Sequence, residues 1–224
     1  MEIIKMEIKY LGHSAFEIKI DNKKILIDPF LVKCPNYDIS GVTDIFVTHG
    51  HGDHLGSAID ISKKTGAKIT AIFELANYCA SNGAITNGIN LGAWINYSWG
   101  KVIAVPAFHS SSTPEGFYAG CPCGFIFEIN NRKIYHAGDT CLSFEMKNIG
   151  ELYSPEISLL PIGGTYTMDL EHASIASDWL KTKYIIPMHY NTFDAINVNL
   201  DEFCTKIKNL NKTPIILNIG EIFS

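Results

Sequence analysis

Six consecutive residues, His49-Gly50-His51-Gly52-Asp53-His54, constrain this chain more than any other stretch of it. They place three imidazoles and a carboxylate directly behind an apolar run, 43–48, that reads as the end of a buried strand. The fold must therefore end a core strand at a turn dense in donors. Metal sites with an open coordination position are built from neutral His nitrogen and Asp or Glu oxygen. His49 and His51, one residue apart, can converge from such a turn, while Asp53 and His54 can point to a second position. Gly50, Gly52 and Gly56 are expected to let the backbone turn sharply between them. A surface turn that happens to be rich in His is the competing reading. It does not account for four ligand-type side chains directly after an apolar strand.

The 224 residues are 46% hydrophobic, enough for a substantial core, and one domain over 1–224 is the simplest organisation. The net charge of −5 and the lack of any block of Lys and Arg argue against long nucleic acid as a partner. Residues 1–7 alternate in charge and do not read as a signal peptide. No stretch approaches the roughly 18 apolar residues of a membrane span. A cytoplasmic location follows as the expectation, with the six cysteines reduced. Cys121-Pro122-Cys123 has one intervening residue where metal and redox pairs use two, so it reads as structural.

Strands are expected at 6–10, 15–20 and 25–27, with a turn at 21–24, and again at 45–47 running into the His cluster. A helix over 55–64, a strand over 68–73 and a helix over 74–81 follow. Further on, strands are expected at 101–105, 124–129, 132–136, 157–161, 184–187 and 215–219, and helices at 172–180 and 201–210. Asn130-Asn131 suits the tight turn of a hairpin. Strands with helices between them suit an α/β fold of two packed sheets with helices outside.

Three further donors, His109, Asp139 and His189, each stand just past an apolar run, as His49 does. Strand ends in layered α/β proteins converge where sites form. Each of the three alone is a weak signal; with the cluster they complete a set of seven donors.

Thr48-His49-Gly50-His51-Gly52-Asp53-His54, His109, Ala137-Gly138-Asp139-Thr140 and Met188-His189-Tyr190 together resemble the metallo-β-lactamase superfamily. Leu11-Gly12-His13-Ser14-Ala15-Phe16, Ile27-Asp28-Pro29 and Pro161-Ile162-Gly163-Gly164 narrow the resemblance to its small metal-dependent hydrolases, near the ascorbate-6-phosphate lactonase-like branch. The resemblance implies a four-layer αββα sandwich and two divalent metal ions. By the same resemblance, His49, His51 and His109 would hold the first ion, Asp53, His54 and His189 the second, and Asp139 would bridge both. A His and carboxylate set suits zinc foremost by affinity, with manganese, iron, nickel or cobalt as alternatives set by supply.

Two such ions acidify a shared water for attack at neutral pH. The implied function is hydrolysis of a small ester, lactone or phosphoester, with Asp53 as the catalytic proton carrier. The alternatives are a phosphodiesterase or nuclease on short oligonucleotides and a metal-binding protein without turnover. Asp139, where zinc β-lactamases often carry Cys, argues against antibiotic hydrolysis. His13, Gly164 and Tyr190 are candidate substrate contacts, while His136 reads as structural support and His172 as a surface residue. The partners expected are a small-molecule substrate and a further copy of the chain, with no membrane.

Overall fold

The computed structural model describes residues 6–224. Most of the charged opening segment, over which no signal peptide is expected, lies outside the described residues. The chain divides into two compact units, one built from the described part of Met1–Asn90 with Ser110–Pro122 and Leu217–Ser224, the other from Leu91–His109 and Cys123–Ile216.

In the first unit, β1 (Met6–Gly12), β2 (Ala15–Ile20) and β3 (Lys23–Ile27) form an antiparallel meander. Its turn is tighter than expected, because Lys23 and Lys24 already pair with Ile20 and Lys19. β4 (Val42–Phe46) then adds parallel to β3. After it come the single turn α1 (Gly52–Leu55), α2 (Ala58–Thr65), β5 (Lys68–Ile72), α3 (Phe73–Ser81) and β6 (Thr86–Ile89). β5 and β6 continue the parallel order. Ile45, Val47, Ile61, Ile69 and Leu75 share one buried apolar cluster, which is why the parallel strands read as near-continuous apolar runs.

The helix expected over 55–64 is broken into α1 and α2. Gly56 takes φ +43°, and a Cβ there would lie 2.5 Å from the Pro29 carbonyl oxygen. The chain thus turns at the one residue type that tolerates both constraints.

The second unit repeats the plan. β7 (Trp94–Tyr97), β8 (Gly100–Pro106), β9 (Cys123–Ile129) and β10 (Arg132–His136) are antiparallel in sequence. Asn130 and Asn131 take φ of +51° and +64°, the left-handed pair that a two-residue hairpin needs. α4 (Glu145–Tyr153), β11 (Ile157–Pro161), α5 (Leu170–Trp179), β12 (Tyr184–Met188), α6 (Leu200–Asn209) and β13 (Thr213–Pro214) follow, with β10 to β13 parallel.

β14 (Ile222–Phe223) returns to the first unit and pairs antiparallel with β1. Each sheet then has seven strands, in the orders β14-β1-β2-β3-β4-β5-β6 and β13-β12-β11-β10-β9-β8-β7. The strand expected over 215–219 does not form. Ile215 still donates to the Ile185 carbonyl, but the residues from Leu217 onward belong to the other unit, so no single sheet holds the run.

The topology carries one functional consequence. β1, β3 and β4 run the same way in the first sheet, as do β8, β10 and β12 in the second. His13, Asp28 and His49 stand just beyond the carboxyl ends of the first three; His109, Asp139 and His189 stand just beyond those of the second three. Open α/β sheets place their ligand sites at this edge.

All six cysteines are free thiols. Cys123 is buried within β9, consistent with a structural role for the Cys121-Pro122-Cys123 pair. Among the described residues no helix is long and apolar enough to cross a membrane.

Two predictions follow from the packing. At Gly150 in α4 an added Cβ would sit 2.0 Å from the Trp179 carbonyl oxygen at the end of α5. Gly150→Ala should therefore lower unfolding stability by about 1–3 kcal/mol in urea titration, despite the gain in helix propensity. Burial pushes the Cys79 thiol up to about 12, whereas Cys141 is exposed. Alkylation of the native protein at pH 8, read by peptide mass, should label Cys141 and spare Cys79.

Candidate metal centre

The donor turn of the first unit is organised by a carboxylate outside the expected set of site residues. Asp28 is fully buried where β3 ends. Its Oδ1 accepts from the Thr48 backbone N–H at 2.8 Å. Its Oδ2 accepts from the Thr48 hydroxyl at 2.7 Å and lies 2.7 Å from His54 Nδ1. The first contact ties the end of β3 to the start of the donor turn. The last fixes the His54 tautomer, since a carboxylate can only accept: Nδ1 carries the proton and Nε2 is turned away with its lone pair.

The same logic reaches His49. The Thr48 hydroxyl spends its proton on Asp28, so it accepts from His49 Nδ1 at 3.0 Å. His49 Nε2 is thereby left as the lone-pair nitrogen, and it lies 2.9 Å from His51 Nδ1. Gly50 between them is required for close approach, because a Cβ there would fall 2.6 Å from Ala119 Cβ and 2.7 Å from the Ser112 carbonyl oxygen. Its N–H donates to Ser111 Oγ at 3.2 Å, and Ser110 Oγ lies 3.5 Å from His51 Nε2. Gly52 meets nothing within 4 Å, so the sharp turn expected there rests on Gly50 and Gly56 alone.

His13 stands in the turn after β1 with no solvent exposure and φ +55°. Its Nε2 lies 3.0 Å from Asp53 Oδ2, and donor atoms of His13, Asp53 and His54 all fall within 4.8 Å of one another. The ring packs edge-on against Phe30 and His54. His13 is thus placed to orient the Asp53 carboxylate.

In the second unit, Asp139 Oδ2 lies 3.1 Å from His189 Nε2 and 3.6 Å from His109 Nε2, so all three predicted donors of that unit converge. His136 Nδ1 accepts from the Gly138 N–H at 3.2 Å and shapes the turn that presents Asp139, in line with the supporting role expected of it. Thr140 Oγ1 accepts from the Phe108 N–H at 3.0 Å, tying the His109 and Asp139 loops together. His189 takes φ +54°. A Cβ on Gly163 would lie 2.2 Å from the His189 carbonyl oxygen, so that glycine is set by the approach of the His189 backbone.

Gly164 is near this group, but its N–H donates to the Met168 carbonyl at 2.9 Å and is not a spare oxyanion donor. Tyr190 is 8% exposed, and burial pushes its hydroxyl above the usual tyrosine range. It is a neutral hydrogen-bond donor at physiological pH. His172 is exposed on α5.

The donor chemistry fits divalent cations. Imidazoles with a fixed Nδ1 proton, converging on carboxylate oxygens in a buried setting, are the arrangement that metal-ligating His adopts. Asp28, Thr48 and Thr140 lie outside the seven donors, and their supporting role emerges only from the hydrogen bonds. The sequence signal for Asp28 is the Ile27-Asp28-Pro29 motif of the resemblance, which stands directly at the end of β3.

Residues 7–189, which span every one of these donors, match the beta-lactamase superfamily domain. The chain belongs to the metallo-β-lactamase superfamily. Within it, the chain is 45% identical to a UPF0173 metal-dependent hydrolase of Staphylothermus marinus, over 97% of this chain and 98% of that one. It is 43% identical to another from Thermococcus onnurineus, over 97% and 98%. The solved structure of Igni18, a metallo hydrolase from Ignicoccus hospitalis, superposes with a TM-score of 0.88 at 34% identity, covering 98% of each chain. The chain is therefore a metal-dependent hydrolase of this superfamily, and its two mixed sheets with flanking helices are the metallo-β-lactamase fold.

Replacing Asp28 by Ala would strand the His54 ring and the Thr48 amide at fully buried positions. Leaving a buried donor unsatisfied costs about 1–3 kcal/mol, so Asp28→Ala should lower the urea midpoint by at least a corresponding amount at unchanged m-value.

Proposed function

We propose that the protein is a cytoplasmic hydrolase of a small ester, lactone or phosphoester that works with two divalent metal ions. His49, His51 and His109 would hold one ion, Asp53, His54 and His189 the other, and Asp139 would bridge them. The observation that supports this reading most is the Asp28–Thr48 relay. It sets the tautomers of His49 and His54 so that both Nε2 lone pairs face away from the carboxylate that holds them. Such outer hydrogen bonds raise ligand basicity and cost about 10–100-fold in metal affinity when lost. Zinc heads the candidates, with manganese, iron, nickel and cobalt behind it.

The bound ions supply an acidified water and a Lewis acid for the substrate's oxygen. The remaining tasks fall to the chain. Asp53, held by His13 at 3.0 Å, is oriented to carry a proton to the leaving group. Tyr190, kept protonated by burial, can donate a hydrogen bond to a substrate oxygen. Ser110 to Ser112 are not needed as nucleophiles. Ser111 instead holds the Gly50 amide.

Elemental analysis of the reconstituted protein should find about two transition-metal ions per chain, with a clear fall in Asp139→Ala. No bound metal in the reconstituted wild type would end the reading. With metal content matched, Asp53→Asn should lose about a hundredfold or more in kcat if Asp53 moves the proton. A loss explained by metal content alone would remove that role.

A further inference from the structure

The loops that carry the donors are aromatic and free of cations. In the second unit, every exposed large aromatic side chain lies on them. Phe108 (51% exposed) precedes His109, Phe144 (75%) follows Asp139, Tyr166 (59%) stands shortly after Gly163, which lies against the His189 backbone, and Phe193 (46%) follows His189 on the same loop. The exposed aliphatics of that unit, Leu152, Leu210 and Ile216, lie on helices or the closing segment instead.

These aromatic residues are held in place, not trailing. The Phe144 ring stacks on Trp179 with centroids 5.4 Å apart. The Phe108 amide is bound to Thr140, and its carbonyl accepts from the Cys141 N–H at 3.2 Å. Thr165, beside Tyr166, donates to the Ala195 carbonyl at 2.8 Å and so ties the Tyr166 segment to that of Phe193. The first unit shows the feature in part, since Phe73 (56%) opens α3 away from the donor turn. The segment that covers Gly50 presents Phe117 (68%) and Tyr118 (74%), on a turn closed by Thr113 N–H to the Phe117 carbonyl at 2.8 Å.

Charge points the same way. Residues 48–57, 106–122, 137–146, 162–180 and 189–205 contain no Lys or Arg. The nearest cations in sequence to His13 and Asp28 are Lys9 and Lys24, which lie back within β1 and β3, and Lys33 on the segment after Asp28. Sites for phosphomonoesters and phosphodiesters recruit Arg or Lys to neutralise oxygens that the metals do not reach. Exposed rings scattered singly mean little, but here every exposed large aromatic ring of the second unit stands on a segment that carries or adjoins a donor.

We propose that these side chains select an uncharged ester or lactone bearing an aromatic or bulky apolar group, in preference to a phosphoester. The inference rests on the hydrolase reading above and narrows its substrate class. The rings would bury the apolar group while the donor-held metals meet the polar bond. Because the rings touch the substrate away from the scissile bond, their loss should raise KM more than it lowers kcat.

The test uses the full chain reconstituted with zinc. p-Nitrophenyl phenylacetate, p-nitrophenyl acetate and bis-p-nitrophenyl phosphate share a leaving group and differ in what the rings would recognise. With rates corrected for uncatalysed hydrolysis, kcat/KM for the phenylacetate should exceed that for the acetate by about tenfold or more, and that for the phosphodiester by a wider margin. Tyr166→Ala with Phe193→Ala should erase most of the preference through KM, and Leu210→Ala should leave it unchanged.

Binding is read separately by saturation-transfer NMR with phenylacetamide, whose ring signal should disappear in the double variant. Preference for the phosphodiester overturns the proposal. So does an ester preference and ring signal that survive the double variant. An oligomer that dissociates in the double variant with unaltered ester selectivity also overturns it and assigns the rings to contact between copies. Ring-dependent binding by metal-loaded protein that cleaves none of the esters supports the recognition surface and overturns the small-ester reading of the hydrolase instead.

Discussion

The buried carboxylate of Asp28 is the interaction on which the rest of the donor turn depends. It sits at φ +44° at the end of β3, where a non-glycine residue pays a backbone cost of order 1–3 kcal/mol. In return it joins two parallel strands at their carboxyl ends and orients two imidazoles, one directly and one through a threonine hydroxyl. An imidazole has two nitrogens and can present either; a fully buried carboxylate at 2.7 Å removes the choice. Stability and ligand geometry are thus properties of one hydrogen-bonded group.

Strain recurs at strand ends in both units. His13 and His189 also take left-handed φ values, directly after β1 and β12. Only a backbone over-determined by its surroundings keeps non-glycine residues there. The surroundings are visible in each case: His13 is enclosed by Phe30, His54 and Asp53, and His189 lies against Gly163, where nothing larger than hydrogen fits. The core strands therefore do more than form a scaffold. Their rigid ends absorb the cost of aiming side chains that an isolated loop would let rotate.

Much of this was legible beforehand, and the failures have definite causes. His49, His109, Asp139 and His189 sit within three positions of the ends of apolar strands, so both the strands and these donors stand out in one dimension. The Asn130-Asn131 hairpin was legible for a similar reason, because two residues alone carry the needed φ values. The unbroken helix over 55–64 was misread because Gly56 is turned by the Pro29 carbonyl, a neighbour far along the chain. The strand over 215–219 was misread because apolar alternation does not reveal which of two sheets a segment joins. Gly164, a candidate substrate contact by sequence, has its amide bonded to the Met168 carbonyl, a partner that no local pattern reveals.

The sequence by itself determined the type and order of the donors, the strands that precede them and the superfamily, since all of these are local patterns of residue type. Tertiary structure alone decided which nitrogen each imidazole presents and which carboxylates position others. Those outcomes depend on contacts between distant positions, such as Asp28 with His54, 26 residues apart, and His13 with Asp53, 40 apart. A hydrogen bond forms where folding brings two atoms within about 3 Å, and no spacing along the chain encodes that meeting directly.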